Sequence, residues 1–253
     1  MIEVTDTAAA VARVRAEESA LPPATRLFED PFAYLFAGGA AGEAASELFR
    51  SVPFFREAIR LRTRFIDDTV RAALADGIRE IVILGAGFDC RALRLPEIAS
   101  VGARVFEVDF ATQLDAKRAL LVGAGIPVPE FLHPVPCDFH APDFEATLSR
   151  RLSTAGFRAP SRVLFVWEGV ISYLEDAAIA RSLRWMASGG GPGSRLVFNY
   201  NLSRFGPDAI RARVLEAGFA TLADEPLADT YRRYLGGEPP PGGDLHRIAV
   251  AAT

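Results

Sequence analysis

Lysine is nearly absent from this chain: among its 28 basic residues only Lys117 is a lysine, and the others are arginines. Such a preference for arginine is typical of a genome with biased base composition and indicates nothing about function. The 32 acidic residues outnumber the basic ones and give a net charge of −4. The composition therefore offers no reason to expect a nucleic-acid partner, which requires a basic surface.

Cysteine is scarce as well, since Cys90 and Cys137 are the only two. Their wide spacing excludes a disulfide framework and the paired-cysteine motifs of metal sites, so we expect two small buried residues and no metal centre. No stretch approaches the roughly 18 apolar residues of a membrane span. The N-terminal residues carry charges throughout, unlike a signal peptide. We expect a cytoplasmic protein without a membrane segment.

Apolar segments of strand length are frequent, and helical patterns separate them. Half of the residues are hydrophobic, which is ordinary for a folded protein. Strands that alternate with helices predict a parallel sheet with helices on both faces. The predicted core strands are Glu80–Leu84, Ala103–Phe110, a segment within Glu130–Phe139, Ser161–Val170 and Gly193–Leu202. The predicted helices between them are Ala111–Gly123, Asp143–Ala155 and Ala177–Ala187.

The C-terminal part departs from this alternation. A predicted helix over Ile210–Gly218 is followed by two further strand segments, Phe219–Asp224 and Leu245–Thr253, with the loop Gly236–Asp244 between them. These two strands would extend the sheet to seven, and one of them is free to run antiparallel.

No strand pattern precedes residue 78. We therefore predict a helical cap at residues 1–77 and an α/β domain at residues 78–253, together forming one structural unit. Pro53–Leu74 is the clearest helix of the cap, and small residues predict a loop over Ala37–Ala45. The segments expected to cover the crevice of the sheet as a lid are Leu27–Phe36 and Pro53–Phe65.

A tight turn follows the first predicted strand in the segment EIVILGAGFDCRAL. The glycines of Gly85-Ala86-Gly87 allow backbone to approach a ligand closely and direct helix N–H groups at it. A dinucleotide, a methyl donor and a purely structural turn all remain possible at this point. The dinucleotide fingerprint requires a third glycine at the position of Cys90, which weakens that interpretation.

Acidic residues follow three of the predicted strands. Glu107 and Asp109 end the second strand, Asp138 follows the third and Glu168 the fourth. Because the carboxyl ends of parallel strands meet at one crevice, we expect these acids to gather around one ligand. A carboxylate suits the hydroxyl pair of a ribose. Glu168 comes directly after the apolar run VLFVW, so we expect it to have a cationic partner.

S-adenosylmethionine (SAM) carries groups that suit these acids: an ammonium, a ribose diol and an adenine amine. Its carboxylate requires a base, and the segment RLRTRF supplies Arg60, Arg62 and Arg64. On a helix Arg60 and Arg64 share one face while Arg62 points elsewhere, so the three cannot all face the crevice.

Five motifs, LGAGFDCRALRL, FEVDF, CDF, EGVISYL and RTRFIDD, together resemble the leucine carboxyl methyltransferase family. The family includes a bacterial branch of SAM-dependent O-methyltransferases of polyketide and other small-molecule metabolism, and the resemblance covers roughly residues 10–200. It implies a class I methyltransferase-like (Rossmann-like) fold, with a mostly parallel seven-stranded sheet and an N-terminal helical lid. It also implies SAM as cofactor and a small-molecule acceptor.

The resemblance assigns roles to particular positions. The turn Gly85-Ala86-Gly87 would lie against the methionine part of SAM, with Asp89 bracing the loop. Asp109 would hold the ribose hydroxyls with support from Glu107. The remaining assignments are Asp138 and the backbone of Phe139 for adenine, Glu168 for the amino-acid end, Arg62 for the SAM carboxylate and Arg15 as a second basic residue. Ile83 departs from the acid that many methyltransferases have two residues before the first glycine.

Candidate catalytic residues are few, because the sequence has no Ser–His–Asp or Cys–His arrangement. A carboxylate acceptor is already ionised at pH 7, whereas a hydroxyl acceptor benefits from a base. Tyr173 and Tyr200 match aromatic positions on the substrate side, and His140 follows Asp138 closely. We predict a SAM-dependent O-methyltransferase acting on a carboxylate or hydroxyl of a small molecule. The alternatives are an NAD(P)-dependent oxidoreductase and a non-catalytic SAM-binding module.

Overall fold

A seven-stranded sheet forms the centre of the protein. The structure, a computed structural model, describes residues 4–39, 43, 47 and 51–253. The strands run in the order β3-β2-β1-β4-β5-β7-β6, and β7 alone runs opposite to the other six. The predicted mostly parallel sheet of seven strands is therefore confirmed. The strands are β1 Glu80–Leu84, β2 Arg104–Asp109, β3 Leu132–Pro136, β4 Val163–Trp167, β5 Arg195–Asn201, β6 Thr221–Pro226 and β7 His246–Ala252.

Helices cover both faces of the sheet. The longer ones are α1 Val4–Ser19, α2 Phe55–Ala75, α3 Ala111–Gly123, α4 Phe144–Thr154, α5 Asp176–Gly189, α6 Pro207–Glu216 and α7 Leu227–Leu235. Short helical turns lie at Arg91–Arg94 and Pro96–Ser100, and 3-10 turns at Ala33–Phe36, Ile171–Tyr173 and Gly243–Leu245. No helix in the described ranges has the length and apolarity that crossing a membrane requires. Most of the predicted loop Ala37–Ala45 lies outside the described residues.

The core is divided by the sheet into two main apolar clusters. Every residue of β1 and β4 is buried, because central parallel strands are covered on both faces. Helices α4, α5 and α6 pack on one face, while α2 and α7 pack on the other. Strand β3 tolerates Pro134 and Pro136 because it lies at the edge of the sheet. Cys90 and Cys137 are free and buried, as predicted.

The strand order reverses between β1 and β4, and this point fixes the location of the crevice. Strands β2 and β3 extend the sheet on one side of β1, and β4 and β5 extend it on the other. The register pairs Leu84 with Val108 and Ile83 with Val166. Ligands of open α/β sheets bind beyond the carboxyl ends of the strands at such a reversal.

The glycine turn after β1 is built for close packing. Gly85 has φ +68° and Gly87 has φ +50°. The backbone N–H groups of Gly85 and Ala86 both donate to the carbonyl of Val108, at 2.8 and 3.1 Å. A Cβ on Gly85 would lie 2.3 Å from Cγ2 of Val170. Gly85 is therefore required both for its backbone conformation and for the space that it leaves.

Gly85→Ala should destabilise the protein more than Gly102→Ala. Gly102 has a similar φ of +64° but open space around its Cβ position, so its replacement costs only about 1 kcal/mol of backbone strain. The contact with Val170 should add roughly 1–3 kcal/mol at Gly85. Urea unfolding measures both free energies. Adding Val170→Ala should recover part of the Gly85→Ala loss, and equal losses at the two glycines would refute this account.

Candidate functional site

A cavity of about 290 Å³ lies at the reversal of strand order. Its size is at the lower end of small-molecule sites, which span roughly 300–1,000 Å³. The wall combines the glycine turn, the ends of β2, β4 and β5, and residues of α1 and α2. Among the residues that the sequence singled out, Arg15, Arg62, Gly85, Ala86, Gly87, Asp89, Asp109, Phe139, His140, Glu168, Tyr173 and Tyr200 line this cavity.

Helices from the N-terminal segment form one side of the cavity. Phe55 and Ala58 of α2 lie in the wall together with Val11 of α1. From the two predicted lid segments, Pro53–Phe65 thus contributes to the wall. Leu27–Phe36 contributes no wall residue. Leu27 and Phe28 pack in the apolar cluster of α2 and α7, and Phe36 packs in a smaller cluster with residues of α1.

The carboxylate of Glu168 joins two arginines at the end of β4. Its Oε1 accepts a hydrogen bond from Nε of Arg62 at 2.8 Å, and its Oε2 lies 2.9 Å from Nη1 of Arg91. Burial alone would raise the pKa of Glu168, but Arg91 and Arg62 outweigh burial and lower the pKa below its ordinary value. The sequence predicts a cationic partner for Glu168, and the protein itself supplies two.

Arg62 is the member of the arginine triplet that lines the cavity. Its Nε binds Glu168, while its terminal nitrogens have no hydrogen-bond partner among the described residues. Arg60 turns away and its Nε lies 2.5 Å from Oε2 of Glu18. Arg64 also binds outside the cavity, to Asp68 of its own helix. This division follows from helical periodicity.

Arg91 ties three elements together beneath the glycine turn. Its side chain is 2% exposed. It forms ion pairs with Asp67 of α2 at 2.8 Å, with Asp89 of the turn and with Glu168 after β4. Removal of one partner from such a buried group leaves an uncompensated charge, which is strongly destabilising.

Asp89 is a buried carboxylate surrounded by positive charge. Its Oδ1 accepts a hydrogen bond from the N–H of Arg91 at 2.7 Å, and its Oδ2 binds the Arg91 guanidinium. Burial alone would raise the pKa of Asp89, but the charges of Arg91, Lys117 and Arg15 lower it to about 2. Asp89 therefore stays ionised at any physiological pH.

Arg15 fastens α1 to the glycine turn. Its Nη2 donates to the carbonyl of Phe88 at 2.5 Å, and its Nε lies 3.3 Å from Oδ2 of Asp30. Both side chains are buried. The predicted second basic residue is therefore part of the wall, and α1 has a fixed position over the turn.

Asp109 braces the turn through both of its oxygens. Oδ2 accepts from the N–H of Gly87 and Oδ1 from its neighbour Phe110, each at 2.7 Å. Burial raises the pKa of Asp109 above its ordinary value, and the two backbone bonds only partly offset this. Each oxygen keeps a lone pair for a ligand hydroxyl.

Glu107 lies below the cavity rather than in its wall. Its carboxylate is 2.7 Å from Nζ of Lys117, and Lys117 also donates to the carbonyl of Asp89. Burial raises the pKa of Glu107, with Lys117 acting in the opposite direction. The single lysine of the chain thus supports the loop from behind.

Asp138, like Glu107, is a strand-end acid that the cavity wall does not include. It is exposed, and its Oδ1 accepts from the N–H of His140 at 2.8 Å. Phe139 and His140 do lie in the wall. Of the four acids expected to gather around one ligand, Asp109 and Glu168 therefore line the cavity together, while Glu107 lies below it and Asp138 holds the adjoining loop.

The two predicted tyrosines both line the cavity but differ in their contacts. The hydroxyl of Tyr200 donates to Oδ2 of Asp224 at 2.8 Å, and burial together with Asp224 raises its pKa. Tyr173 is 45% exposed at the rim. The ring of Tyr200 is thus a wall element, and Tyr173 is accessible to an entering molecule.

His246 is a wall residue that the sequence argument missed. It is the first residue of β7, paired in register with Asn201 at the end of β5. Its Nδ1 lies 3.5 Å from Nδ2 of Asn201. Burial and the charge of Arg62 lower its pKa, which a hydrogen bond to the carbonyl of Pro53 partly offsets. The sequence did contain a signal for His246. If the last strand runs antiparallel, its first residue lies at the edge of the sheet where the parallel strands end.

Comparisons with known proteins agree with this geometry. The profile of the family named leucine carboxyl methyltransferase matches residues 8–187. This chain belongs to the leucine carboxyl methyltransferase family. A candidate SAM-dependent methyltransferase of Frankia alni is 36% identical over 228 residues, which cover 88% of this chain and 78% of that protein. One of Streptomyces avermitilis is 31% identical over 239 residues, covering 87% and 79%.

A solved structure confirms the fold of this family member. The crystal structure of a candidate methyltransferase from Thermobifida fusca superposes with a TM-score of 0.62 at 18% identity, covering 96% of this chain and 94% of that one. The predicted class I methyltransferase fold is confirmed, and the chain is a SAM-dependent methyltransferase. The oxidoreductase interpretation is therefore wrong.

The side chains that line the cavity of this family member are chemically suited to bind SAM. The terminal nitrogens of Arg62 are available to a carboxylate, and Arg is the side chain best suited to bind one with two parallel bonds. The lone pairs of Asp109 are available to a ribose diol. A group suited to the SAM carboxylate and a group suited to its ribose therefore lie in the same cavity.

Asp89→Asn should lower stability in a pH-dependent way. The pKa of Asp89 falls from 3.8 to about 2 on folding, so the carboxylate stabilises the fold above pH 4 and loses this effect as the pH falls towards 2. The stability gap between wild type and variant should be about 2 kcal/mol or more at pH 7 and should shrink by about 1 kcal/mol at pH 3.

Urea unfolding at pH 7, 5, 4 and 3 measures this gap. The control is Asp115→Asn, which changes an exposed aspartate of α3 that has no ion pair within the described ranges. Its gap from wild type should stay near zero. A gap for Asp89→Asn that does not change with pH would show that Arg91 and Lys117 do not stabilise the ionised form.

Proposed function

We propose that this methyltransferase transfers the methyl group of SAM to an oxygen of a small organic acceptor, with a hydroxyl preferred to a carboxylate. The polyketide-like class suggested by the family resemblance suits this proposal. The observation that carries it is the chemistry of the cavity around the ends of β4 and β5. There the carboxylate of Glu168 is already paired with two arginines, and uncharged amide side chains lie beside it.

The enclosure of the cavity favours a small acceptor over a protein. Helices α1 and α2 contribute one side of the wall, and the volume is about 290 Å³. A flexible peptide would need an open groove, whereas a compact ring system can enter past the exposed side chain of Tyr173.

The charge balance favours a neutral acceptor. Glu168 is paired with Arg62 and Arg91, and Arg62 is the cation assigned to the cofactor carboxylate. The remaining polar side chains near the ends of β4 and β5 include the amides of Asn199 and Asn201. A second carboxylate, brought by the acceptor, would find no further arginine among the described residues of this part of the wall. Burial of an unpaired charge is costly.

His246 is the group best suited to take a proton from a hydroxyl. Its pKa is lowered by burial and by Arg62, so the ring is neutral at pH 7 and can accept a proton. Asp89 and Glu168 are poor bases because their pKa values are lowered. The hydroxyl of Tyr200 already donates a hydrogen bond to Asp224.

These contacts support a separate role for each residue of the site. Bound SAM supplies an activated methyl group on a sulfonium. Arg62 holds the cofactor carboxylate, and Glu168 positions Arg62 from behind. Asp109 binds the ribose hydroxyls and keeps the glycine turn in place through Gly87. His246 removes the acceptor proton, while the walls of α1 and α2 keep water out.

The first test of this proposal compares paired acceptors. Formation of S-adenosylhomocysteine (SAH) from SAM is measured with phenolic polyketide-like compounds and with their carboxylic-acid counterparts. We expect turnover of hydroxyl acceptors, with kcat/KM falling only at a pH below the ordinary titration range of histidine, because burial and Arg62 lower the pKa at which His246 becomes protonated. Turnover of carboxylic acids alone, without this pH dependence, would contradict the preference for hydroxyls.

His246→Gln tests the base directly. Removal of a general base typically costs on the order of 10²–10⁴ in rate, so kcat should fall at least about 100-fold with little change in SAM affinity. The control is His133→Gln, which changes a histidine stacked on Phe106 at 5.0 Å, outside the cavity wall. Equal activity of the two variants would remove His246 from the mechanism.

A further inference from the structure

Gln113 is the only glutamine of the chain, and it lies in the cavity wall with Gly87 and Asp109. It is 4% exposed. Neither its Nε2 nor its Oε1 has a hydrogen-bond partner among the residues that the structure describes. Because native proteins rarely leave a buried amide unpaired, the two free atoms indicate a place where a ligand completes the hydrogen bonding.

A capping role does not account for this glutamine. Gln113 is the third residue of α3, and its backbone N–H donates to the carbonyl of the N-cap residue Phe110 at 3.0 Å. A glutamine at this position often turns back to bind the N–H of the N-cap residue. Here that N–H donates to Asp109 instead, at 2.7 Å. The side-chain amide of Gln113 is thus not required by the helix.

The chemistry of Asp109 leaves a need that Gln113 can meet. Asp109 only accepts hydrogen bonds when ionised, so it can take the protons of ligand hydroxyls but cannot bind their lone pairs. An amide offers a donor and an acceptor side by side. Nε2 of Gln113 can donate to a hydroxyl that is bound to Asp109, and Oε1 can accept from the neighbouring hydroxyl.

We propose that Gln113 binds the ribose hydroxyls of SAM together with Asp109 and makes binding selective for an intact diol. The inference depends on the cofactor and not on the acceptor proposed above. The adenine edge also pairs a donor with an acceptor, but Gln113 follows β2 and shares the wall with Asp109, so the ribose is the partner that this position favours.

Gln113→Leu removes both polar atoms at similar volume, and calorimetric titration compares it with wild type. The ligands are SAH, its 2′-deoxy and 3′-deoxy analogues, and S-inosylhomocysteine. We expect the variant to bind SAH and S-inosylhomocysteine about tenfold more weakly than wild type does. For at least one deoxy analogue, the two proteins should agree within about twofold.

Two results would overturn the proposal. One is an unchanged affinity of Gln113→Leu for SAH. The other is that Gln113→Leu loses the same affinity, relative to wild type, for SAH and for both deoxy analogues but loses none for S-inosylhomocysteine. The amide of Gln113 would then bind adenine. Failure of the wild type to bind SAH would instead refute the cofactor assignment, and failure of every acceptor would leave this inference intact.

Ser182→Ala is the matched control. Its Oγ is equally buried and also lacks a partner within the described ranges, but Ser182 lies outside the cavity wall. SAH affinity should stay within about twofold of wild type in this variant. Gln113→Met provides a second apolar replacement that a helix accepts readily, and it should show the same selective loss. A loss in Ser182→Ala as large as that in Gln113→Leu would refute a direct contact.

Discussion

The carboxylate of Glu168, held between Arg62 and Arg91, is the interaction on which the site depends. It connects the end of the most buried strand, the long helix α2 and the turn that follows β1. The charged side chains of this network are buried or nearly so. Arg91 also forms ion pairs with Asp89 and Asp67, so that each buried charge has a partner of opposite sign. The same carboxylate that neutralises Arg91 leaves the terminal nitrogens of Arg62 available to the cavity, so one network gives both rigidity and a binding group.

The topology of the sheet explains why these groups meet. Parallel strands bring Asp109 and Glu168 to one edge, and the reversal of order opens a crevice there. The antiparallel β7 then adds a residue from its beginning, which places His246 beside the end of β5. Helix α1, fixed by Arg15, and helix α2 cover this edge. The cavity at the carboxyl ends of the strands follows from this arrangement.

Hydrophobic periodicity and turn chemistry were enough to predict all seven strands, and α3 has the bounds that its pattern predicts. Helix α7 was missed although its apolar residues lie on one face, because it has only nine residues and lies between a predicted strand and a glycine-rich loop. The acids at strand ends were visible in the sequence, but Asp138 lies in a loop beyond its strand, where strand geometry no longer fixes direction. The pairing of Glu168 with Arg91 joins residues 77 positions apart, and such tertiary contacts leave no local signal.

A double-mutant cycle on Arg62 and Glu168, read by calorimetric titration of SAH, tests the central claim most directly. If Glu168 acts by holding Arg62 in place, Arg62→Leu and Glu168→Gln should each weaken binding, and the double variant should bind no more weakly than the worse single variant. Circular dichroism establishes that all three variants are folded. Losses that simply add would contradict the account, because Glu168 would then bind the ligand independently of Arg62.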